Sequence, residues 1–174
     1  VEFFFCVCGA GAMGCGIVLV AAGGGVNVRV FDINIELLQD AVNFIDNMLG
    51  RAVEKGRLEA HAHKAAVNRI EMIDSMAGFR DCDIIIEAAT ENLDIKKKIF
   101  EEIEKNVGDE TIIATNTSSL SVTTIASACE KPERIAGFHF FNPVPLMRLV
   151  EVIDGVLTDP EVGDQLMILG ARMT

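Results

Sequence analysis

Short apolar runs alternate with longer amphipathic stretches along the chain. The apolar runs predict strands at residues 3–8, 26–31, 70–73, 83–88, 111–115, 134–139 and 149–153. Several of them lack the polar alternation of a strand with one wet face, so we expect helices on both faces of the sheet. The stretches between predict helices at residues 13–22, 34–55, 93–106, 121–128 and 159–169. This order predicts an α/β fold with a doubly wound, mostly parallel sheet and right-handed crossovers.

Residues 34–68 depart from this alternation, because they hold an unusually long helical stretch before the next strand. We interpret residues 54–69 as part of an inserted helical hairpin that projects from the sheet. Residues 170–174 follow the last predicted helix and are typical of the start of another connection. We therefore expect residues 1–174 to form one domain that is truncated near its C-terminal end.

Composition and charge narrow the class of protein. Of 174 residues, 50% are hydrophobic and 24% are charged, which is typical of a globular domain with one core. The net charge of −11 argues against binding to nucleic acid or to anionic membranes. Residues 3–28 carry no charge, but seven glycines interrupt them, so a membrane span or signal peptide is not expected. We therefore expect a protein that is not secreted.

The cysteines and histidines do not indicate a metal site. Five cysteines, an odd number without regular spacing, point to a reducing compartment. Cys6 and Cys8 lie in a predicted buried strand without a second ligand pair at zinc-site spacing, and we interpret them as core residues. His61 and His63 have no third ligand nearby, and we interpret them as exposed hairpin residues. We predict no metal.

A glycine-rich hexamer follows the first predicted strand and consists of Gly9, Ala10, Gly11, Ala12, Met13 and Gly14. A helix and a second strand come next, and Asp32 ends that strand eighteen residues beyond Gly14. This context is typical of a dinucleotide-binding turn. In such a turn Gly9 permits the tight bend, Gly11 lets a pyrophosphate approach the backbone, and Gly14 lets helix and strand pack closely. The N-terminus of the following helix adds free N–H groups and a positive dipole that favour phosphates. The alternative interpretation is that the glycines only permit a tight strand–helix turn.

Asp32 indicates which dinucleotide binds. Its carboxylate would accept hydrogen bonds from the adenosine ribose hydroxyls and would repel a 2′-phosphate. The sequence therefore predicts NAD rather than NADP as the cofactor. The alternative is that Asp32 caps the following helix, and the two roles are compatible.

Three further motifs follow in order: EAATENLDIKK at residues 87–97, NTSSL at 116–120 and HFFNP at 139–143. Together with the glycine hexamer they resemble the NAD-binding domain of the L-3-hydroxyacyl-CoA dehydrogenase family, from about residue 5 to 169. The resemblance implies a Rossmann-like fold and NAD-dependent oxidation of a 3-hydroxyacyl-CoA to a 3-oxoacyl-CoA in fatty acid or butanoate metabolism. It also implies a homodimer in the full-length protein. The family's helical C-terminal domain, which supplies much of the acyl pocket and the dimer interface, is absent from this chain.

The resemblance also implies a catalytic set. By position, His139 is the base, Glu151 is the acid that orients it, Ser118 lies near the substrate oxygen and the nicotinamide, and Asn142 lies beside the cofactor. The chemistry suits these residue types, because an imidazole gains and loses a proton near neutral pH and a carboxylate stabilises the imidazolium. The alternatives are a hydrogen-bonded core histidine, a helix cap at Ser118 and a turn residue at Asn142.

The resemblance further implies binding residues at both ends of the ligands. Glu91 and Lys96 match residues that line the nicotinamide end. Lys55, on the inserted hairpin, matches a lysine that contacts the CoA portion, and Ser118 matches a serine that contacts the CoA substrate. Residues 51–69 carry a net charge of +3 on this acidic chain, which favours binding of the CoA phosphates to this segment. The alternatives are a solvated helix start for Glu91 and Lys96, and random scatter for the basic side chains.

Two departures from the family pattern flank the first predicted helix. Cys8 replaces the usual aliphatic residue before the first glycine, and Gly23 to Gly25 replace a mostly alanine stretch, which should soften the end of that helix.

Two other functions compete with the dehydrogenase: a non-catalytic module of the same fold, and an NAD-dependent dehydrogenase of another β-hydroxy acid. Intact His139, Glu151 and Ser118 favour the enzyme, and the hairpin with Lys55 argues against the other substrate.

Overall fold

The computed structural model describes residues 2–174 and consists of one sheet with helices on both faces. Its strands are β1 (Phe4–Cys8), β2 (Asn27–Phe31), β3 (Ile70–Met72), β4 (Ile84–Glu87), β5 (Ile112–Thr115), β6 (Ile135–Phe140) and β7 (Val150–Asp154). Its helices are α1 (Ala12–Gly23), α2 (Ile35–Glu54), α3 (Ala60–Asn68), α4 (Leu93–Asn106), α5 (Val122–Ala126) and α6 (Pro160–Met173). Each predicted strand lies within one residue of these bounds, so the predicted alternation is confirmed.

The sheet has seven strands in the order β3-β2-β1-β4-β5-β6-β7. Strands β1 to β6 are parallel, and β7 is antiparallel to β6. The strand order reverses between β1 and β4, and ligands of such sheets bind at the carboxyl ends of the strands beside that point. The predicted doubly wound, Rossmann-like fold is therefore confirmed.

Two apolar cores form because successive strand residues point to opposite faces. On one face Phe5 and Val7 of β1 belong to the core that includes residues of α1, α2 and α6. On the other, Cys6 and Cys8 belong to the core that includes residues of α4 and α5. Both faces of the central strands are thus dry. Within residues 2–174, every helix is too short or too polar to cross a membrane.

The inserted hairpin is confirmed as α2 and α3. Its turn contains Gly56 in the left-handed region at φ +68°, a conformation that favours glycine. His63 is not an exposed residue as predicted: it is half-buried, and its Nε2 lies 2.6 Å from Asp46 Oδ1 on α2. Pairing between the two helices buries one side of the imidazole, which the spacing of the histidines did not indicate.

The C-terminal residues do not start a new connection, because α6 continues to Met173. Its buried residues Val162, Leu166, Leu169, Gly170 and Met173 recur at helical spacing, so the apolar face extends beyond the predicted end. Gly170 lies where a Cβ would approach Val150 Cγ1 to 2.7 Å. The glycine that suggested a helix end instead permits close packing of α6 on the sheet.

The cysteines are packed in the cores, as predicted for Cys6 and Cys8, but Cys6 also forms a disulfide with Cys82. Their Cα atoms are 6.2 Å apart, a separation that a disulfide spans. The pair was not predicted because 76 positions separate the two residues in the sequence and the sheet brings them together. Cys8, Cys15 and Cys129 are free and buried.

Candidate active site

The glycine hexamer forms the turn between β1 and α1 at the carboxyl edge of the sheet. Gly9 has φ +115°, and a Cβ there would lie 2.8 Å from the backbone of Ala88. A Cβ on Gly14 would overlap the carbonyl oxygen of Gly9. The predicted roles of Gly9 in the bend and of Gly14 in helix–strand packing are therefore confirmed. At Gly11 a Cβ would meet open space, so the backbone there is accessible to a ligand.

The N-terminus of α1 is suited to an anion. Gly11 is its N-cap, no side chain of the described residues caps it, and its first turn contains no acidic residue. The free N–H groups and the helix dipole therefore point to unobstructed space above Gly11. A pyrophosphate satisfies both, and these features fit NAD.

Asp32 lies at the end of β2 and links two neighbouring segments. Its Oδ2 accepts the Ala10 N–H at 2.8 Å, and its Oδ1 accepts the Asn34 N–H at 2.8 Å. The N-cap of α2 is Asn34, whose side chain accepts the Leu37 N–H, so the alternative reading of Asp32 as the helix cap is wrong. The carboxylate is half-buried beside the glycine turn, the position from which a ribose is bound in this fold.

Ser118, His139 and Glu151 line one cleft of about 550 Å³ at the same edge of the sheet. His139 is half-buried on β6, with its ring 4.4 Å from the ring of Phe141, and Glu151 is exposed on β7. Ser118 is exposed in the β5–α5 loop, and Ser121 rather than Ser118 caps α5. The structure thus brings together three of the four predicted catalytic residues and rejects the cap at Ser118.

Asn142 lies in a second cleft of about 540 Å³, with Gly11 and Ala12 of the glycine turn. It follows the end of β6 and precedes Pro143 across a cis peptide bond. The predicted catalytic set is therefore divided between two clefts, with Asn142 on the pyrophosphate side. The predicted place of Asn142 beside the cofactor stays a prediction.

The second cleft also runs along α2, where Leu37, Phe44 and Met48 line it. Lys55, the C-cap of α2, is exposed seven residues beyond Met48. Seven residues are about two helical turns, so Lys55 lies close to the helix face that lines the cleft. Its predicted contact with CoA stays a prediction.

Glu91 and Lys96 differ from each other in accessibility. Glu91 is exposed, and its Oε2 accepts the Thr117 hydroxyl at 2.8 Å. Lys96 is only 1% exposed and is paired with Glu87, so it is neither on a solvated helix face nor an open side chain of the cleft. The lysine run around it reads as a solvated face, which concealed this burial.

Sequence reasoning missed a group of buried polar residues beneath these loops, namely Glu87, Thr115, Asn116 and Thr117. Their strand-end positions were a usable signal, because polar residues that end a buried parallel strand lie at the ligand-binding edge. Asn116 Oδ1 accepts the Phe140 N–H at 2.8 Å and so ties the end of β5 to the strand of His139. Close by, burial and the charge of Glu87 raise the pKa of the Cys8 thiol to about 12, which keeps the thiol neutral.

Comparison with known proteins identifies the family. Residues 5–174 match the family described as 3-hydroxyacyl-CoA dehydrogenase, NAD binding domain. The 3-hydroxyadipyl-CoA dehydrogenase of Escherichia coli (strain K12) is 41% identical over 160 residues, 92% of this chain and 34% of that protein. The "Probable 3-hydroxybutyryl-CoA dehydrogenase" of Bacillus subtilis (strain 168) is 40% identical over 167 residues, 96% of this chain and 58% of that protein.

Solved structures agree with the sequence comparison. The (S)-3-hydroxybutyryl-CoA dehydrogenase of Ralstonia eutropha superposes with a TM-score of 0.96 at 38% identity, over 99% of this chain and 61% of that one. The chain thus spans between about a third and three fifths of the length of these relatives. With its glycine turn, Asp32 and the cleft of His139 in place, the chain belongs to the NAD-binding domain family of the 3-hydroxyacyl-CoA dehydrogenases.

Proposed function

We propose that this chain forms the cofactor-binding part of an enzyme that oxidises (S)-3-hydroxyacyl-CoA to 3-oxoacyl-CoA. The observation that carries the proposal is the cleft shared by Ser118, His139 and Glu151 at the edge of the sheet that holds the glycine turn. A non-catalytic module of this fold has no need of an imidazole opposite a carboxylate at that edge. Bound NAD⁺ supplies the acceptor for the hydride that leaves C3 of the substrate.

The protein side chains manage the proton of the reaction. As the C3 carbinol becomes a carbonyl, its hydroxyl proton passes to a ring nitrogen of His139. Glu151 stabilises the imidazolium that forms, and the Ser118 hydroxyl donates a hydrogen bond to the substrate oxygen. The glycine turn, the α1 N-terminus and Asp32 hold the pyrophosphate and the adenosine ribose. Asn142 lies beside the cofactor on the pyrophosphate side, and Glu91 lines the nicotinamide end.

The substrate and its surroundings complete the proposal. Lys55 and the basic hairpin bind the CoA phosphates, and the second cleft along α2 leads from the hairpin to the glycine turn. The enzyme acts in fatty acid or butanoate metabolism, as a homodimer, in a bacterial or archaeal cytoplasm or the mitochondrial matrix. Relatives named as the alpha subunit of a fatty acid oxidation complex support the pathway.

Measurements of NADH binding and of turnover test this function. Calorimetry should show that the chain binds NADH, and the isolated chain should turn over acetoacetyl-CoA far more slowly than the Bacillus subtilis relative. A chimera in which this chain replaces the matching 167-residue region of that relative should recover turnover. A chimera that binds NADH but turns over only a different β-hydroxy acid would contradict the substrate, and a folded chain that binds no NADH would contradict the function.

A further inference from the structure

Glu87 and Lys96 form a buried ion pair beneath the loops at the carboxyl edge of the sheet. Glu87 ends β4 and is fully buried, and Lys96, on α4, is 1% exposed. Thr115, at the end of β5, donates its hydroxyl to Glu87 Oε1 at 3.1 Å and accepts from Lys96 Nζ at 3.4 Å. Both charges are therefore compensated inside the protein.

The free oxygen of Glu87 reaches the backbone of the β4–α4 loop. Its Oε2 accepts the Ala89 N–H at 2.8 Å and the Thr90 N–H at 3.3 Å. Lys96 holds the other oxygen, so the carboxylate is fixed in the orientation that these two N–H groups require. The pair thus determines how the loop that carries Glu91 leaves the sheet.

The same network reaches the β5–α5 loop, which carries Ser118. Thr115 Oγ1 accepts the Thr117 N–H at 3.3 Å, and Thr117 Oγ1 accepts the N–H groups of Ser119 and Leu120. Because Thr117 also donates its hydroxyl to Glu91 at 2.8 Å, the two loops are joined at their outer ends as well. A change at Glu87 would therefore alter both loops.

These loops lie on one side of the glycine turn only. The backbone of Ala88 lies close to Gly9. Strands β4 and β5 lie on the opposite side of β1 from β2, and Asp32 directly follows β2. A dinucleotide with its adenosine at Asp32 and its pyrophosphate at Gly11 extends its nicotinamide half over β4 and β5. The network therefore lies beneath one half of the proposed cofactor site.

We propose that Glu87 and Lys96 are positioning residues that hold the β4–α4 and β5–α5 loops in the shape that the nicotinamide half of NAD requires. This inference rests on the proposed function. A buried ion pair rarely stabilises a fold more than apolar side chains of similar size, so stability does not account for the pair. The hydrogen bonds that Glu87 accepts from the loop N–H groups account for the pair, because they fix the shape of the loops without contacting the ligand.

The test compares two ligands on the 174-residue chain. NADH contacts both halves of the site, whereas ADP contacts only the adenosine and pyrophosphate half. The double variant Glu87→Met/Lys96→Met removes both charges together, which leaves no unpaired ion in the core. It should fold, bind ADP like the wild type, and bind NADH about 10- to 100-fold more weakly, as expected when charge-assisted hydrogen bonds are lost.

One single variant and one control variant accompany the double variant. Lys96→Met leaves the Glu87 carboxylate without its partner and should lower both the melting temperature and the NADH affinity. Lys98→Met removes an exposed lysine of the same helix and should change neither. A folded double variant that binds NADH as tightly as the wild type would overturn the positioning role and leave the proposed function intact. Wild-type protein that binds ADP but not NADH would overturn both.

Discussion

His139 and Glu151 stand directly opposite each other on the antiparallel strands β6 and β7. Side chains at such paired positions have Cβ atoms about 5 Å apart and lie on the same face of the sheet. The connection from Phe141 to Leu149 returns the chain antiparallel to β6, which brings the two residues together across twelve positions. The cleft that they share with Ser118 is a consequence of this register.

The first prediction concerns this pair in the chimera with the Bacillus subtilis relative. Glu151→Gln should preserve folding and NADH binding but lower kcat, because the imidazolium loses its counter-charge in the transition state. His139→Ala should lower kcat by roughly 10²- to 10⁴-fold, the usual contribution of a general base. Steady-state kinetics of the two single variants and the double variant would measure the coupling.

The double variant should cost far less than the two single losses combined, because the residues act as a unit. Glu161→Gln serves as the control, since it removes an exposed carboxylate in the first turn of α6, outside the cleft of His139. Fully additive losses would show that His139 and Glu151 act independently. An unchanged kcat in Glu151→Gln would reduce Glu151 to an ordinary strand carboxylate.

The second prediction concerns the choice of NAD over NADP. Asp32→Asn should weaken NADH binding by about 10- to 100-fold, since charge-assisted hydrogen bonds to the ribose are lost, and should narrow the preference over NADPH. Titration calorimetry with both cofactors measures the change. Glu36→Gln is the control, because Glu36 is an exposed acid in the first turn of α2 near the same site. Equal affinities of the wild type for NADH and NADPH would refute the assignment.

The third prediction separates the glycines of the turn. Gly11→Ala should leave the fold intact, because its Cβ meets open space, yet weaken NADH binding by crowding the pyrophosphate. Gly14→Ala should unfold or strongly destabilise the chain, since its Cβ overlaps Gly9. Thermal melting and NADH titration distinguish the two outcomes.

Gly23→Ala is the control for both glycine variants, because Gly23 is exposed at the end of α1 and its Cβ also meets open space. It should leave NADH affinity unchanged and gain up to about 1 kcal/mol from the better helix propensity of alanine. If Gly11→Ala bound NADH as well as Gly23→Ala does, the pyrophosphate would not lie against Gly11.

The fourth prediction counts the thiols. After denaturation without a reductant, iodoacetamide should modify three cysteines, Cys8, Cys15 and Cys129, and after reduction it should modify all five. Mass spectrometry gives both counts. Five modified cysteines in the unreduced sample would show that Cys6 and Cys82 are thiols in the isolated protein, which is the state expected of a reducing compartment.

The fifth prediction concerns alkaline pH. In the folded chain the pKa of the Cys8 thiol is raised to about 12 from an ordinary 9.0, mainly by burial. The raised pKa means that the folded state keeps a proton that the unfolded state loses, so stability is complete below pH 9 and falls as the pH rises towards 12. The Cys8 thiol alone should lower the free energy of unfolding by about 1.4 kcal/mol per pH unit in this range.

Urea denaturation at pH 8 and pH 10 under reducing conditions tests this dependence. Cys8→Ala lacks the titrating thiol and should lose less stability than the wild type over the same interval. Cys15→Ala is a further comparison, because burial also raises the pKa of the Cys15 thiol. Parallel losses in the wild type and Cys8→Ala would show that the Cys8 thiol does not contribute to alkaline destabilisation.

Local patterns in the sequence were enough to predict the strands, and the glycine turn and Asp32 of the candidate site. Strand bounds were correct within one residue, because a buried run has a length and a period that neighbouring residues set. The glycine turn and Asp32 were recognisable for a similar reason: the turn needs glycines at fixed local positions, and Asp32 ends the next strand of the same unit. The opposed pair of His139 and Glu151 followed from the family resemblance and from a short connection.

Only the tertiary structure decided which distant residues meet. A lysine run on α4 reads as a solvated face, yet packing against the sheet buries Lys96 on Glu87. The sheet brings Cys6 to Cys82, pairing of two helices brings His63 to Asp46, and the α6 packing surface carries that helix to Met173. Each of these contacts depends on the relative placement of whole elements, and the free energy that selects it comes from burial across the assembled sheet, which no local pattern contains.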